Sequence, residues 1–308
     1  MVKFQLGLKA IDPIILPQYK GSTLRGGFGH AFKKVVCTVR DKACEECLLK
    51  TRCVYSYVFE TPPPEGSEIL RKYQKVPHPF VIEPPPDIKR VYKPGEALTF
   101  NLILIGRAAD YLPYFIYTFE ELGKIGIGRG KGKYALREVA CDGKVIYSGE
   151  NKVLKNGYDP VSISDVLNTM HSNTRTLTVN FLTPTRISFN ADLVVDLEFH
   201  HLMRSLLRRI STLSYFHYGQ RLDLDFKGLI ERAGKIEAIK SDIKWYDWER
   251  YSARQDTRMK LGGFTGHVTF EGELKEFMPF LKAGEALHVG KGTSFGLGRY
   301  QILKPEGL

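Results

Sequence analysis

One stretch of the chain occurs twice. The run Gly290-Lys291-Gly292-Thr293-Ser294-Phe295-Gly296-Leu297-Gly298-Arg299-Tyr300 packs four glycines into nine residues. A shift of 166 residues, without a gap, places Pro113 on Pro279, Gly126 on Gly292, Gly130 on Gly296 and Gly132 on Gly298. The same shift pairs Lys133 with Arg299 and Tyr134 with Tyr300, and lays Leu112-Pro113-Tyr114-Phe115 over Met278-Pro279-Phe280-Leu281. An apolar helical segment therefore precedes each loop, and a strand-like run follows it. Six coincidences at one offset make the chain a tandem repeat of one folding unit.

Glycine-dense loops leave backbone N–H groups without side-chain cover, so an anion can approach them closely. Lys291 and Arg299 add charge there, and Thr293 and Ser294 add hydroxyl donors suited to phosphate oxygens. The first loop offers a secondary basic patch in Lys124, Arg129, Lys131 and Lys133, which reads equally well as a solvated turn. No GxxxxGK[ST] is present, and neither loop opens a helix, so a mononucleotide site is not indicated. The 308-residue chain has 45 Lys+Arg against 34 Asp+Glu, a net charge of +11. That excess favours a polyanionic partner, with nucleic acid the commonest. The N-terminus reads directly as a strand, and neither a signal-peptide pattern nor a membrane-spanning apolar run is seen. Five cysteines fit a reducing cytoplasm better than a disulfide framework.

Val2 to Leu8 alternates as a strand. A helix capped by Ser22 or Thr23 is then predicted, with Leu24, Phe28, Ala31, Phe32 and Val35 as its apolar stripe. His30 lies on the opposite face, flanked by Lys33 and Lys34. Gly26, Gly27 and Gly29 each cost the helix about 1 kcal/mol relative to Ala, which implies a close approach by a packed neighbour or by a ligand. Val54 to Phe59 reads as a strand with Tyr55, Tyr57 and Phe59 on one side. An irregular excursion between the proline runs at Pro62 and Pro84 follows. Ala97 to Ile105 is the next strand and Ala109 to Leu122 the second helix, and Asp142-Gly143 marks a hairpin turn.

This order is β-α-β-β-α-β. The fold class is α+β, with two tandem ferredoxin-like (RRM-like) domains, each carrying a glycine-rich loop before its last strand. Residues 1–150 form the first, with a cysteine-rich insertion at 37–53. Residues 151–172 are the linker, and residues 173–308 form the second, whose loop is 290–300. In the second copy Thr176 to Phe181 is a strand ended by Pro184. A helix follows through Val195, Phe199, Met203, Leu206, Ile210 and Leu213, with His200, Arg204 and Arg208 on its polar face. Lys235 to Trp248 and Phe264 to Phe270 are strands, and Leu274 to Leu281 a short helix.

Cys37, Cys44, Cys47 and Cys53 give C-x6-C-x2-C-x5-C, four soft ligands in seventeen residues. The central CxxC is the turn that lets two thiolates share a metal, and a structural zinc is the preferred reading. An iron–sulfur cluster, two disulfides and four free thiols are the alternatives. Cys141 is assigned to strand or hairpin packing.

The tandem arrangement resembles the RAMP superfamily of CRISPR-associated proteins, and within it the endoribonucleases that process CRISPR precursor RNA. The resemblance is carried by Gly290 to Tyr300, by Gly21-Ser22-Thr23-Leu24-Arg25-Gly26-Gly27-Phe28 and by Phe181-Leu182-Thr183-Pro184. It implies metal-independent attack of a ribose 2′-OH on the adjacent phosphorus, leaving a 2′,3′-cyclic phosphate, with no cofactor for catalysis. It also implies a catalytic histidine on the first helix, the position held here by His30. Lys33 and Lys34 would then stabilise charge, and Tyr19 would orient RNA or share proton transfer. His200 and His201 are rival histidines, one of them expected to pack at the edge of a domain interface. His78 is expected to be structural, and His288 to touch RNA. Lys291, Thr293, Ser294, Arg299, Arg204 and Arg208 are the expected phosphate contacts, with Lys131 and Lys133 secondary. CRISPR repeat RNA is the implied partner of a monomer or homodimer without membrane contact. A non-catalytic RNA-binding RAMP subunit, assembled with other effector subunits, is the rival reading.

Overall fold

A computed structural model describes residues 1–40, 42–63, 76–155, 157–168, 174–247, 249–252, 257–260 and 262–303. Residues 64–75 of the expected excursion, 169–172 of the expected linker and Trp248 at the end of a predicted strand lie outside the described residues. The chain divides into two compact units: Met1–Val161 with Phe216–Gly219, and Ser162–Tyr215 with Gln220–Leu308.

In the first unit, β1 (Val2–Ala10) alternates buried and exposed residues as its sequence does. It is followed by α1 (Gly21–Val36), β2 (Phe80–Glu83), β3 (Ala97–Leu104), α2 (Leu112–Ile125) and β4 (Tyr134–Cys141). β5 (Lys144–Ser148) and β6 (Val153–Leu154) extend the sheet beyond β4. The antiparallel order β2-β3-β1-β4-β5-β6 contains the ferredoxin-like four, with the first strand between the third and the last. The second strand is thus Phe80–Glu83, not Val54–Phe59. Residues Ser56–Glu60 form a π-helical turn instead. Both periods are written in that segment. The helical one prevails because Tyr55 and Phe59 then stack at 5.3 Å and face the core together with Val58.

α1 packs on α2 through Phe28, which stacks on Phe115 at 5.0 Å and Phe119 at 4.8 Å, with Phe32 at 5.3 Å from Phe115. Each such buried ring contributes about 1.5–3 kcal/mol. The expected Ser22 or Thr23 cap is absent: the helix begins at Gly21, after Lys20, with no side-chain cap. Two of its glycines are explained by packing. A Cβ on Gly29 would meet the Phe59 ring at 2.9 Å, and one on Gly27 would meet Leu122 at 3.3 Å.

The second unit repeats the plan. α3 (Ile163–Leu167) precedes β7 (Thr176–Thr185), α4 (Phe199–Leu213), α5 (Phe226–Ala233), β8 (Glu237–Tyr246), β9 (Gly263–Glu271), α6 (Met278–Leu287) and β10 (Tyr300–Leu303). Its sheet runs β8-β9-β7-β10, again with the first strand between the third and the last. β7 passes through Pro184 instead of ending there, and α4 starts at Phe199, which leaves Val195 outside the helix and exposed. The expected linker is structured in part: Val153–Leu154 pairs with β5, and Ile163 of α3 is buried.

The 166-residue offset has a structural basis. α2 and α6 begin at Leu112 and Met278, and β4 and β10 begin at Tyr134 and Tyr300, each pair at that offset. In both units the strand's opening tyrosine donates its hydroxyl back to a helix carbonyl. Tyr134 bonds Phe119 O at 2.9 Å and Tyr300 bonds Leu281 O at 2.6 Å. Between those anchors the copies differ, since α2 has 14 residues and α6 has 10. The second loop is longer by the difference.

Candidate nucleic-acid interface and catalytic site

His30 is exposed on α1, opposite the Phe28–Phe32 stripe. Partial desolvation, then the ammonium groups of Lys34 and Lys131, hold its imidazole below the ordinary value. Lys34 lies one turn further along the helix. Lys131 comes from the first glycine loop, which folds back to α1. That loop is held by Arg129 N–H donating to Ile15 O at 2.9 Å and by paired bonds between Ile127 and Gly132, both 3.0 Å. A Cβ on Gly128 would meet Ile15 O at 2.2 Å, and one on Gly132 would meet Pro13 O at 2.3 Å, so these glycines serve a backbone contact. Lys131 itself has φ +51°, a left-handed conformation that disfavours a side chain. The structure therefore brings His30, Lys34 and Lys131 together. Lys33 turns elsewhere, with its ammonium 5.6 Å from the Tyr55 ring and its charge acting on Cys44. Tyr19, half-buried just before α1, has its phenol pushed far up by burial and stays protonated.

The second loop is more self-contained than its glycine content suggests. Lys291 N–H donates to Arg186 O, Phe295 N–H to Gly292 O, Gly296 N–H to Thr293 O and Gly298 N–H to Pro184 O. Thr183 Oγ1 bridges the strand to the loop, donating to Gly296 O at 2.8 Å and accepting from Arg299 N–H at 2.9 Å. These four loop amides and that of Arg299 are thus committed inside the protein, contrary to the reading of an uncovered cradle. A Cβ on Gly298 would meet Val289 O at 1.8 Å, so close backbone approach alone requires that glycine. Thr293 and Ser294 are 7% and 5% exposed, whereas Lys291 is exposed and Arg299 half-buried. His288 is fully buried beneath the loop and bonded to Leu297 O at 3.0 Å, so its expected RNA contact does not arise. Arg204 and Arg208 are exposed on α4. Arg204 lies over Phe189 at 5.4 Å.

His201 closes the N-terminus of α4: its Nδ1 accepts Glu198 N–H at 3.2 Å, while the Glu198 carboxylate accepts from the His201 amide. Glu198, His200 and His201 lie close enough to hold a metal ion. Three of the four ring nitrogens are committed otherwise. Nδ1 of His201 accepts from Glu198, and Nδ1 of His200 accepts from Arg204 Nε at 3.4 Å, so both rings carry their proton on Nε2. His200 Nε2 faces Glu198 Oε2 at 3.3 Å as a donor. The trio is a helix cap. His78 is held structurally, with Nδ1 at 3.1 Å from Thr61 Oγ1 and Nε2 at 3.3 Å from Arg25. Sequence reasoning passed over buried His217, between Tyr57 OH at 3.0 Å and Pro77 O at 2.8 Å, because nothing near Tyr57 announces a partner 160 residues away.

The four clustered cysteines share one loop and are all partly exposed. Desolvation, Glu60, Cys37 and Cys53 push the Cys44 thiol up, and Lys33 opposes them. Cys47 N–H donates to Cys44 O at 3.4 Å, which is the turn expected of the CxxC. In number and softness the donors fit a zinc. Among the described residues no three of their sulfurs lie within 4.8 Å of one another. Cys141 is buried at the end of β4, and burial pushes its thiol to about 11.

Fold and site define a tandem ferredoxin-like protein with a basic, histidine-bearing first helix. Residues 1–158 match the AF_1859_N family, an N-terminal domain, and residues 179–300 match the CRISPR-associated endoribonuclease Cas6. The chain belongs to the AF_1859_N family, whose model matches just over half of it. An uncharacterised protein of Archaeoglobus fulgidus is 26% identical over 291 residues, covering 93% of this chain and 92% of that one. A Cas6 product complex superposes with a TM-score of 0.60 at 17% identity, covering 98% of this chain and 99% of that chain. Thermus thermophilus Cas6 superposes with a TM-score of 0.55 at 17% identity, with 98% of each chain covered. Among the described residues no helix is long and apolar enough to cross a membrane.

Proposed function

We propose that this chain binds precursor CRISPR repeat RNA and cuts it without a metal ion, by attack of a ribose 2′-OH on the adjacent phosphorus. The observation that carries the reading is His30, exposed on α1, its imidazole pKa lowered by partial desolvation and by the ammonium groups of Lys34 and Lys131. Neutral imidazole is the form that accepts a proton. It takes the 2′-OH proton as the new 2′-O–P bond forms. The P–O5′ bond then breaks, and the leaving oxygen takes a proton from water, giving a 2′,3′-cyclic phosphate and a 5′-OH. Lys34 and Lys131 neutralise the charge that gathers on the phosphorane oxygens. Tyr19 orients RNA as a donor and does not serve as a base. Lys291, Arg299, Arg204 and Arg208 hold backbone phosphates, with Lys133 secondary, while Thr293 and Ser294 are buried in the loop.

Incubation of the protein with a transcript of its host's repeat in EDTA, with product ends mapped, tests this. One discrete cut leaving a cyclic phosphate, lost in His30→Ala, is the expected result. Tight binding without a cut would make the chain an RNA-binding subunit of an effector complex instead. A structural zinc on Cys37, Cys44, Cys47 and Cys53 belongs to the same proposal, supported by the CxxC turn and by Cys37 and Cys53 flanking Cys44. It would pin the loop after α1 and take no part in the reaction. Protein purified without added zinc should hold about one equivalent of the metal; under half an equivalent removes this part of the reading.

A further inference from the structure

Of the three glycines inside α1, packing accounts for two. Gly27 faces Leu122 and Gly29 faces Phe59, but Gly26 is exposed and a Cβ there would meet nothing within 4 Å. The fold therefore leaves room for any side chain at Gly26, while a glycine inside an exposed helix lowers stability relative to alanine. The position is not neutral in other respects. It lies one turn before His30 and two turns before Lys34 on the same face of the helix. The sixteen residues of α1 carry no carboxylate; Arg25 turns to the Phe59 ring and Lys33 to Tyr55, which leaves Lys34 on this face, with Lys131 adding its charge at His30.

We propose that Gly26 is a substrate-binding position, a gap over which the RNA strand crosses α1 with its sugar–phosphate backbone lying directly on the helix backbone. The crossing sets the scissile phosphate beside His30, Lys34 and Lys131. A methyl group at Gly26 lifts the strand away from His30, and a branched side chain blocks the crossing. The partner is RNA and not a protein helix because Lys34 and Lys131, which act on His30 one turn beyond the gap, match phosphate, and the chain as a whole carries a net charge of +11. This inference rests on the proposed RNA-processing reading and adds the path of the strand to it.

The test compares Gly26→Ala, Gly26→Leu and His30→Ala with the unaltered chain. Three quantities are read: the melting temperature, single-turnover cleavage of the repeat transcript, and affinity for the same transcript with 2′-deoxyribose at the cut position. Gly26→Ala is expected to raise Tm by about 2–4 °C while weakening both RNA readouts. Gly26→Leu is expected to keep a Tm at or above that of the unaltered chain, to bind about tenfold less tightly and to cut about 100-fold more slowly. Unchanged affinity and rate in Gly26→Leu overturn the proposal. A Tm lowered in Gly26→Ala also overturns it, because the added methyl would then be meeting protein. If His30→Ala cuts at the full rate, the catalytic assignment fails. Loss of affinity for the deoxy-substituted transcript in Gly26→Leu would still establish the crossing.

Discussion

Removing the His30 ring is expected to slow cleavage by about 10²–10⁴-fold and to leave RNA affinity within a few-fold, as read by single-turnover assay and titration. The pH dependence carries a sign. Desolvation, Lys34 and Lys131 lower the His30 pKa, so its neutral, proton-accepting form persists below the ordinary imidazole midpoint of about 6.5. The acidic limb of the rate profile should therefore have its midpoint below that value. Lys34→Ala or Lys131→Ala should move it upward, because a cation that disfavours the imidazolium has been removed. A limb that stays in place in both variants would rule out His30 as the base. Lys131 gives a second residue-scale expectation. Its φ of +51° suits glycine, so Lys131→Gly relieves about 1–2 kcal/mol of backbone strain and still slows cleavage. Chemical denaturation set beside the kinetics shows whether the two effects separate.

Between helix and strand, the same clasp closes both units, a tyrosine hydroxyl bonded to a carbonyl of the preceding helix. Tyr300→Phe removes the donor, and the expected loss is about 1 kcal/mol of stability in a denaturant titration. Gly284→Ala is the sharper test. Its Cβ would lie 2.2 Å from the Tyr300 hydroxyl and 2.5 Å from Leu206, so crowding should cost about 1–3 kcal/mol. These effects belong to the element because they alter how α6 meets β10 without touching an exposed cation. The misread segment Val54–Phe59 belongs to this scale too. Tyr55, Tyr57 and Phe59 suggest alternation, while Tyr55, Val58 and Phe59 suggest a helical turn, and the segment alone does not choose. The neighbouring rings Phe28 and Phe32, at 5.7 and 5.6 Å from Phe59, favour the turn.

Across the whole molecule the net charge of +11 sets the response to salt. If Lys291, Arg299, Arg204 and Arg208 each neutralise one phosphate of single-stranded RNA, affinity should fall about fifty-fold between about 50 and 200 mM salt. A titration series in which affinity barely changes would remove these residues as phosphate contacts. The repeated plan also gives each unit its own antiparallel sheet and its own helix pair. The first unit supplies the histidine-bearing helix, and the second supplies the Cas6 family match.

The order of strands and helices, the duplication and the outward placement of His30 were legible in the sequence, because each follows from local periodicity or from self-comparison. Residues at helical spacing share a face wherever the helix is, and a repeated loop repeats its fold. Tertiary structure decided what depends on residues far apart in the chain. It brought Lys131 to His30 and turned Lys33 toward Tyr55. It made Phe80–Glu83 the second strand and buried Thr293, Ser294 and His288 within their own unit. It also gave Gly27 and Gly29 packing partners and left Gly26 with none. A glycine in a sequence signals only that something comes close, and whether that something is protein is settled by the packing around it.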